Sequence, residues 1–190
     1  MSRGGEEARG GPAIAILEMS SVARGMVVAD AMVKRAVVRL LRSEHYTPGK
    51  YVVLVSGGEE EVGEARARGI EVASATLIDE LYLPKADEQL FGALDGLTRA
   101  PPPDAALAIV ESYSVTAAVL AADTAVKAAE ATLVKMRLAR SLGGKAFFVL
   151  AGELDQIEAA VDAATRIISD GMLWGAEIIA RPHPDFLATL

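Results

Sequence analysis

Side chains able to do acid–base, nucleophilic or metal chemistry are few in this sequence and poorly spaced for it. The two histidines, His45 and His183, lie in opposite halves, and His183 is flanked by Pro182 and Pro184. Neither belongs to a His-x-x-x-His or Glu-x-x-His pair, the spacings that place two ligands on one helix face. Both read as surface or interface histidines. There is no Gly-x-Ser-x-Gly nucleophile elbow. Gly57-Gly58 precedes a helical pattern and could in principle cradle a phosphate, but Glu59, Glu60 and Glu61 occupy the positive helix end and would repel one. A strand-to-helix turn is the better reading, and Gly152-Glu153 repeats it. Glu18 and Glu111 could be paired carboxylates, although a cap or a structural hydrogen bond explains them more simply. Cysteine is absent, which excludes disulfides, thiolate nucleophiles and cysteine-held clusters. No catalytic residue, metal ligand or cofactor is assigned.

One charged pair stands out by repetition. Asp30 and Lys34 sit in Ala29-Asp30-Ala31-Met32-Val33-Lys34, and Asp123 and Lys127 in Ala122-Asp123-Thr124-Ala125-Val126-Lys127, 93 residues later. An exposed i,i+4 pair contributes only about 0.3–0.5 kcal/mol, too little to account for a match in both halves. A lysine lying flat against a neighbouring molecule accounts for it better. The repeat extends further: Ala13-Ile14-Ala15-Ile16-Leu17-Glu18 recurs as Ala106-Leu107-Ala108-Ile109-Val110-Glu111, with twelve identities in thirty-six positions from Ala13 to Pro48. A period this long is not a solenoid repeat. The chain reads as one domain duplicated and fused.

Composition narrows the function classes. The 190 residues carry a net charge of −7 and are 52% hydrophobic, with a pI near 4.9 and a mean hydropathy of +0.30. The charge has the wrong sign for general nucleic-acid or anionic-membrane binding, and no apolar run reaches the roughly 18–20 residues of a membrane helix. Two small domains leave much surface exposed, so so apolar a composition suggests surface that another chain covers. Residues 1–12, glycine-rich and without an apolar h-region, read as a flexible tail of a cytoplasmic protein.

These residues need a scaffold, and the pattern predicts one. Ala13–Met19 reads as a strand apolar at both parities. Ser20 and Ser21 offer N-cap chemistry for a helix over roughly 23–42, with Met26, Ala29, Val33, Ala36 and Leu40 as its buried stripe. A loop over 43–49, a strand from Tyr51 to Val55, a helix from Glu59 to about Ala73, a strand from Leu77 to Leu83 and a short helix over 86–94 complete the first half. Residues 97–105, with Pro101-Pro102-Pro103, read as an extended linker holding the halves apart. The second half repeats the order: strand 106–112, helix about 116–137 with the stripe Val119, Ala122, Val126, Ala129, Leu133 and Met136, loop 140–144, strand 146–151, helix 153–169 and strand 173–180. Gly49-Lys50 aligns with Gly144-Lys145. The expectation is two α+β sheet-and-helix domains, 13–96 and 106–190.

Taken in order, Ala106 to Glu111, Ala122 to Lys127, Ala151-Gly152-Glu153-Leu154 and Ile179-Ala180-Arg181-Pro182-His183 resemble the shell proteins of bacterial microcompartments, in the tandem-domain class that forms trimers. The resemblance spans Ala13 to Leu190, and its unpermuted order is that of the single-layer trimers. It implies a homotrimeric pseudohexagonal tile of the microcompartment shell that joins hexameric and pentameric tiles edge to edge. In this reading Lys34 and Lys127 are the edge lysines, and Arg181, with Pro182 and His183, is their partner. Lys85 holds the weaker matching place in the first half. The pore loops fall on Thr47-Pro48-Gly49 and on Ser141-Leu142-Gly143-Gly144, lining a central opening for small metabolites. Some tandem relatives hold an iron–sulfur cluster there through cysteines, which this chain lacks; a metal on the threefold axis would have to use His45. The competing readings are a small-molecule-binding regulatory trimer without lateral assembly and, behind it, an enzyme with a site at the domain boundary.

Overall fold

The computed structural model describes residues 13–139, 142–168 and 171–190. The tail expected over 1–12 lies outside them. The chain divides into two units, the first holding Gly49–Ala86 and the residues up to His45, the second Tyr46–Pro48 and Asp87–Leu190.

The first unit begins with β1 (Ala13–Met19), every residue of which is buried. Helix α1 (Val22–Arg35) starts at Ser21, whose side chain accepts from the Arg24 amide, an N-cap of the expected kind. The helix stops seven residues short of its predicted end. Ala36 is extended, Val38 N donates to Ala36 O at 3.0 Å, and the chain continues as β2 (Arg39–Tyr46), part of which was expected to be helix and part loop. A tight turn joins β2 to β3 (Lys50–Gly57), and α2 (Glu59–Ala73), with three glutamates in its first turn, leads into β4 (Leu77–Leu83). The sheet order is β2-β3-β1-β4. β1 pairs antiparallel with both neighbours, for example Ala15 with Val55 and with Tyr82.

The predicted stripe on α1 is one residue out of phase. The buried face is Gly25, Val28, Ala29 and Met32, whereas Met26 is 57% and Leu40 41% exposed. The core between helices and sheet holds Ala13, Ala15, Leu17, Met19, Val28, Met32, Tyr51, Val53 and Val62. On α2, Arg66 pairs with Glu80 and lies over the Tyr82 ring, while the Tyr82 hydroxyl donates to Glu59 O at 2.8 Å. Burial pushes the Tyr82 phenol above its ordinary pKa, Glu59 adds to that, and Arg66 opposes it.

The second unit opens with α3 (Glu88–Leu94), capped by the Asp87 side chain, which accepts from Gln89 N at 2.9 Å. By packing, the segment from Asp87 onward belongs here, against residues 115–128 and 132–138 of this unit. Then follow β5 (Ala106–Ser112), α4 (Val115–Ala128), β6 (Thr132–Leu138), β7 (Ala146–Gly152), α5 (Leu154–Ile167), β8 (Leu173–Ile179) and α6 (Pro184–Leu187), with sheet order β6-β7-β5-β8. Again the first helix is shorter than expected: Ala129 is extended, Ala131 N donates to Ala129 O at 2.8 Å, and Leu133 and Met136, expected on the helical stripe, are buried on β6. Each sequence repeat is thus β-α-β-β-α-β followed by a short helix, α+β with one strand more than the pattern predicted, and the short helix of the first repeat packs in the second unit. The linker is not a free spacer. Arg99 N donates to Val134 O at 2.7 Å and its guanidinium to Gln89 Oε1 at 3.1 Å, which pins it to the outer edge of β6.

Candidate functional site

Two sets of residues carry the functional expectations: the β2–β3 and β6–β7 turns, and the repeated carboxylate–lysine pairs on α1 and α4.

The first turn is Thr47-Pro48-Gly49, with a cis peptide before Pro48 and Gly49 at φ 98°. Its counterpart spans 139–145, where Ala139, Gly143 and Gly144 have φ of 45°, 63° and 87°. Ala139 N donates to Lys145 O at 2.9 Å and Lys145 N to Leu142 O at 3.2 Å, closing that turn on itself. Ser141 lies outside the described residues. The two turns touch within the second unit: a Cβ on Gly144 would stand 3.1 Å from Thr47 O and 3.4 Å from Pro48 Cδ. Gly143 has the same left-handed backbone with nothing around it. Alanine at Gly143 is therefore expected to carry only the conformational cost, roughly 1–2 kcal/mol. Gly144→Ala adds the collision with Thr47, so its melting temperature should fall further than that of Gly143→Ala; equal melting temperatures would show that the turns do not lean on each other.

Behind each turn stands a lysine. Lys50 Nζ lies 3.2 Å from Glu18 Oε2, and Lys145 Nζ 3.0 Å from Glu111 Oε2. The aligned Gly-Lys words and the strand-end glutamates are thus the same structural ion pair made twice, and the glutamates are not a catalytic dyad. Lys145 also stands 4.2 Å from the Trp174 ring centroid, with Tyr113 packed edge-on against that ring at 5.1 Å. His45 is an exposed residue of β2, one place before the buried Tyr46. Among the described residues no group of three or more His, Cys, Asp or Glu side chains is placed to hold a metal ion.

The carboxylate–lysine pairs form in both units, but in different surroundings. Lys34 Nζ is 2.7 Å from Asp30 Oδ2, with the two side chains 73% and 58% exposed. Lys127 Nζ is 2.5 Å from Asp123 Oδ2, and there the Asp123 side chain is only 6% exposed. The difference comes from the segment that leads into α3. Asp87 N donates to Asp123 Oδ1 at 2.8 Å. Gln89 then bridges the outer edge of β6, its Nε2 donating to Ala131 O at 3.2 Å and its Oε1 accepting from Leu133 N at 2.9 Å. Sequence reasoning did not anticipate Asp87 or Gln89. The signal was present in the alignment of Leu83-Pro84-Lys85 with Ile179-Ala180-Arg181, which carries Asp87 onto His183 and Gln89 onto Asp185. His183 does cap α6 as Asp87 caps α3, its Nδ1 accepting from Asp185 N at 3.2 Å. Lys85, Arg181 and Pro182 occupy the same position, just past the last strand of each domain.

Two copies of one four-stranded α+β domain, each with a turn glycine backed by a lysine and a helix ending on the same charged pair, make the chain a tandem two-domain protein. Residues 13–86 and 106–182 each match the BMC domain in one uninterrupted stretch. The chain belongs to the BMC-domain family. It is 40% identical over 172 residues, 90% of its length and 93% of the relative's, to the bacterial microcompartment shell protein PduT of Citrobacter freundii. The crystal structure of a microcompartment protein from Desulfitobacterium hafniense DCB superposes with a TM-score of 0.84 at 35% identity, over 94% of this chain and 98% of that one. The fused permuted hexameric shell protein of the RMM microcompartment, 20% identical, shares the fold with a TM-score of 0.59 over 81% of this chain and 80% of that one.

Proposed function

We propose that the chain is a structural tile of a bacterial microcompartment shell, a homotrimer whose six domains surround a pore for small metabolites and whose edges meet other shell tiles. The observation that carries this reading is the duplication itself. Two like domains in one chain present the same turn and the same lysine twice, as a ring with alternating domains requires. Family membership and the likeness to PduT along nearly its whole length support the shell role. Thr47, Pro48 and Gly49 with Ser141, Leu142, Gly143 and Gly144 would line the opening. The stretches 47–49 and 141–144 supply backbone amides, the Ser141 hydroxyl and the Leu142 side chain, and the lysines behind them, Lys50 and Lys145, are each paired with a glutamate.

Lateral contact is assigned to Lys34 and Lys127, with Arg181, Pro182, His183 and Lys85 as the facing groups. Both lysines lie in or beside the last turn of an exposed helix end, held in direction by their aspartates. The double variant Lys34→Asp, Lys127→Asp is expected to abolish sheets in negative-stain micrographs while solution mass stays near three times 19.9 kDa. Unchanged sheets would defeat the edge assignment. A regulatory trimer would instead show ligand-dependent thermal stabilisation and no sheets from the unmodified chain.

A further inference from the structure

The lysine–glutamate pair behind each turn is made twice, yet its surroundings differ. In the first unit Glu18 lies directly across from Asp79 on β4, and its side chain is 1% exposed. In the second unit the residue across from Glu111 is Gly175 on β8, and the Glu111 side chain is 38% exposed. A Cβ built on Gly175 meets no atom within 4 Å, so the space beside this carboxylate is empty. The preceding residue on β8 is Trp174, 54% exposed and the one tryptophan of the chain. Lys145 Nζ stands over its ring, and Tyr113, itself exposed, packs edge-on against it. The same places in the first unit hold Ile78 and Ser20. The second unit therefore shows a carboxylate, an ammonium and two aromatic rings in one patch, where the first has no ring and seals the carboxylate. Contiguous exposed aromatic surface of this kind marks a place that binds something.

We propose that this patch binds a small zwitterion with a hydrophobic side group, of the class of the apolar and aromatic α-amino acids. Among the described residues the Glu111 carboxylate bonds no side chain other than Lys145. It keeps lone pairs to accept from the ligand's ammonium, and Lys145 keeps donors for the ligand's carboxylate. The existing pair need not break. Because that pair carries no net charge, a ligand with both charges matches it and a ligand with only one does not. The side group lies over Gly175, where no side chain intervenes, against Trp174 and Tyr113. Part of the site faces water, so affinity is modest: a ligand of about a dozen heavy atoms at low efficiency reaches a Kd of about 1 mM. The assignment does not depend on the tile reading, since every group in it belongs to one unit of one chain.

The lone tryptophan is its own reporter. L-phenylalanine, which does not emit in the tryptophan band, is expected to change Trp174 emission saturably at millimolar concentration. Phenylpropionate, which lacks the ammonium, and phenethylamine, which lacks the carboxylate, should each bind at least about tenfold more weakly. Gly175→Asp rebuilds the first unit's arrangement in open space, so it should keep the native circular dichroism and weaken L-phenylalanine by at least about tenfold. Glu111→Gln should weaken L-phenylalanine and leave phenylpropionate no weaker, which separates loss of the ammonium contact from a general disturbance. Emission that acrylamide quenches but L-phenylalanine leaves unchanged would overturn the proposal, and so would a Trp174 that acrylamide cannot reach. Equal affinity for all three compounds would show that only the ring is read. An unaltered affinity in Gly175→Asp would place the ligand elsewhere on the chain and end the assignment.

Discussion

Asp123→Ala is expected to destabilise the chain by about 2–3 kcal/mol and Asp30→Ala by less than about 0.5 kcal/mol, although the two residues occupy the same place in the repeat. Removing Asp123 leaves the Asp87 amide facing a buried site with no acceptor from this side chain, and separates Lys127 from its carboxylate. Burial makes that loss large, because the Asp123 side chain is only 6% exposed and water replaces a buried acceptor poorly. Asp30 gives up only a solvated pair at a helix surface, where ion pairs of this kind contribute little. Urea denaturation of both variants at one protein concentration reads the difference, and a shift in midpoint at constant m isolates it. Equal midpoints for the two variants would show that the burial around Asp123 is not what holds it.

Gly25→Ala is expected to be the most costly single-methyl change in the first unit. In an open helix the exchange would stabilise by about 1 kcal/mol. At Gly25 the new Cβ would stand 2.3–2.6 Å from Cδ1, Cγ and Cβ of Tyr51, the base of a ring whose position is fixed by β3 and by the contact of its hydroxyl with Ser43 Oγ at 2.9 Å. Overpacking of this kind costs about 1–3 kcal/mol and outweighs the propensity gain. Gly69→Ala makes contacts almost as short, 2.5 Å to Leu17 Cδ1 and 2.8 Å to Met32 Sδ, but these are the ends of flexible side chains. Its melting temperature should fall less than that of Gly25→Ala. The opposite order would mean that α1 moves away from the sheet more easily than Leu17 and Met32 change rotamer.

Much of the scaffold is legible from local pattern. The bounds of α2 and β4 follow from three glutamates after a glycine pair and from an apolar run ended by Pro84. The Ser21 cap follows from its place before a helical run. What the pattern conceals is the end of α1 and of α4. Residues 36–41 and 129–134 contain neither glycine nor proline, and their apolar positions continue a helical period. Pairing with β3 and β7, remote in sequence, turns them into strands, and local preference yields to it. The candidate site divides in the same way. The turn residues, the lysines behind them and the repeated charged word were readable from the duplication. The burial of Asp123 was not, because Asp30 and Asp123 stand in nearly identical words and differ only in what another part of the chain lays over them.

The contact between Gly144 and the carbonyl of Thr47 bears on motion. No side chain stands between Gly144 and the Thr47 carbonyl to turn aside, so a shift of the first turn toward the second is met by backbone at once. The bond from Lys145 N to Leu142 O ties Gly143 and Gly144 into a closed piece, which makes residues 142–145 a stop rather than a cushion.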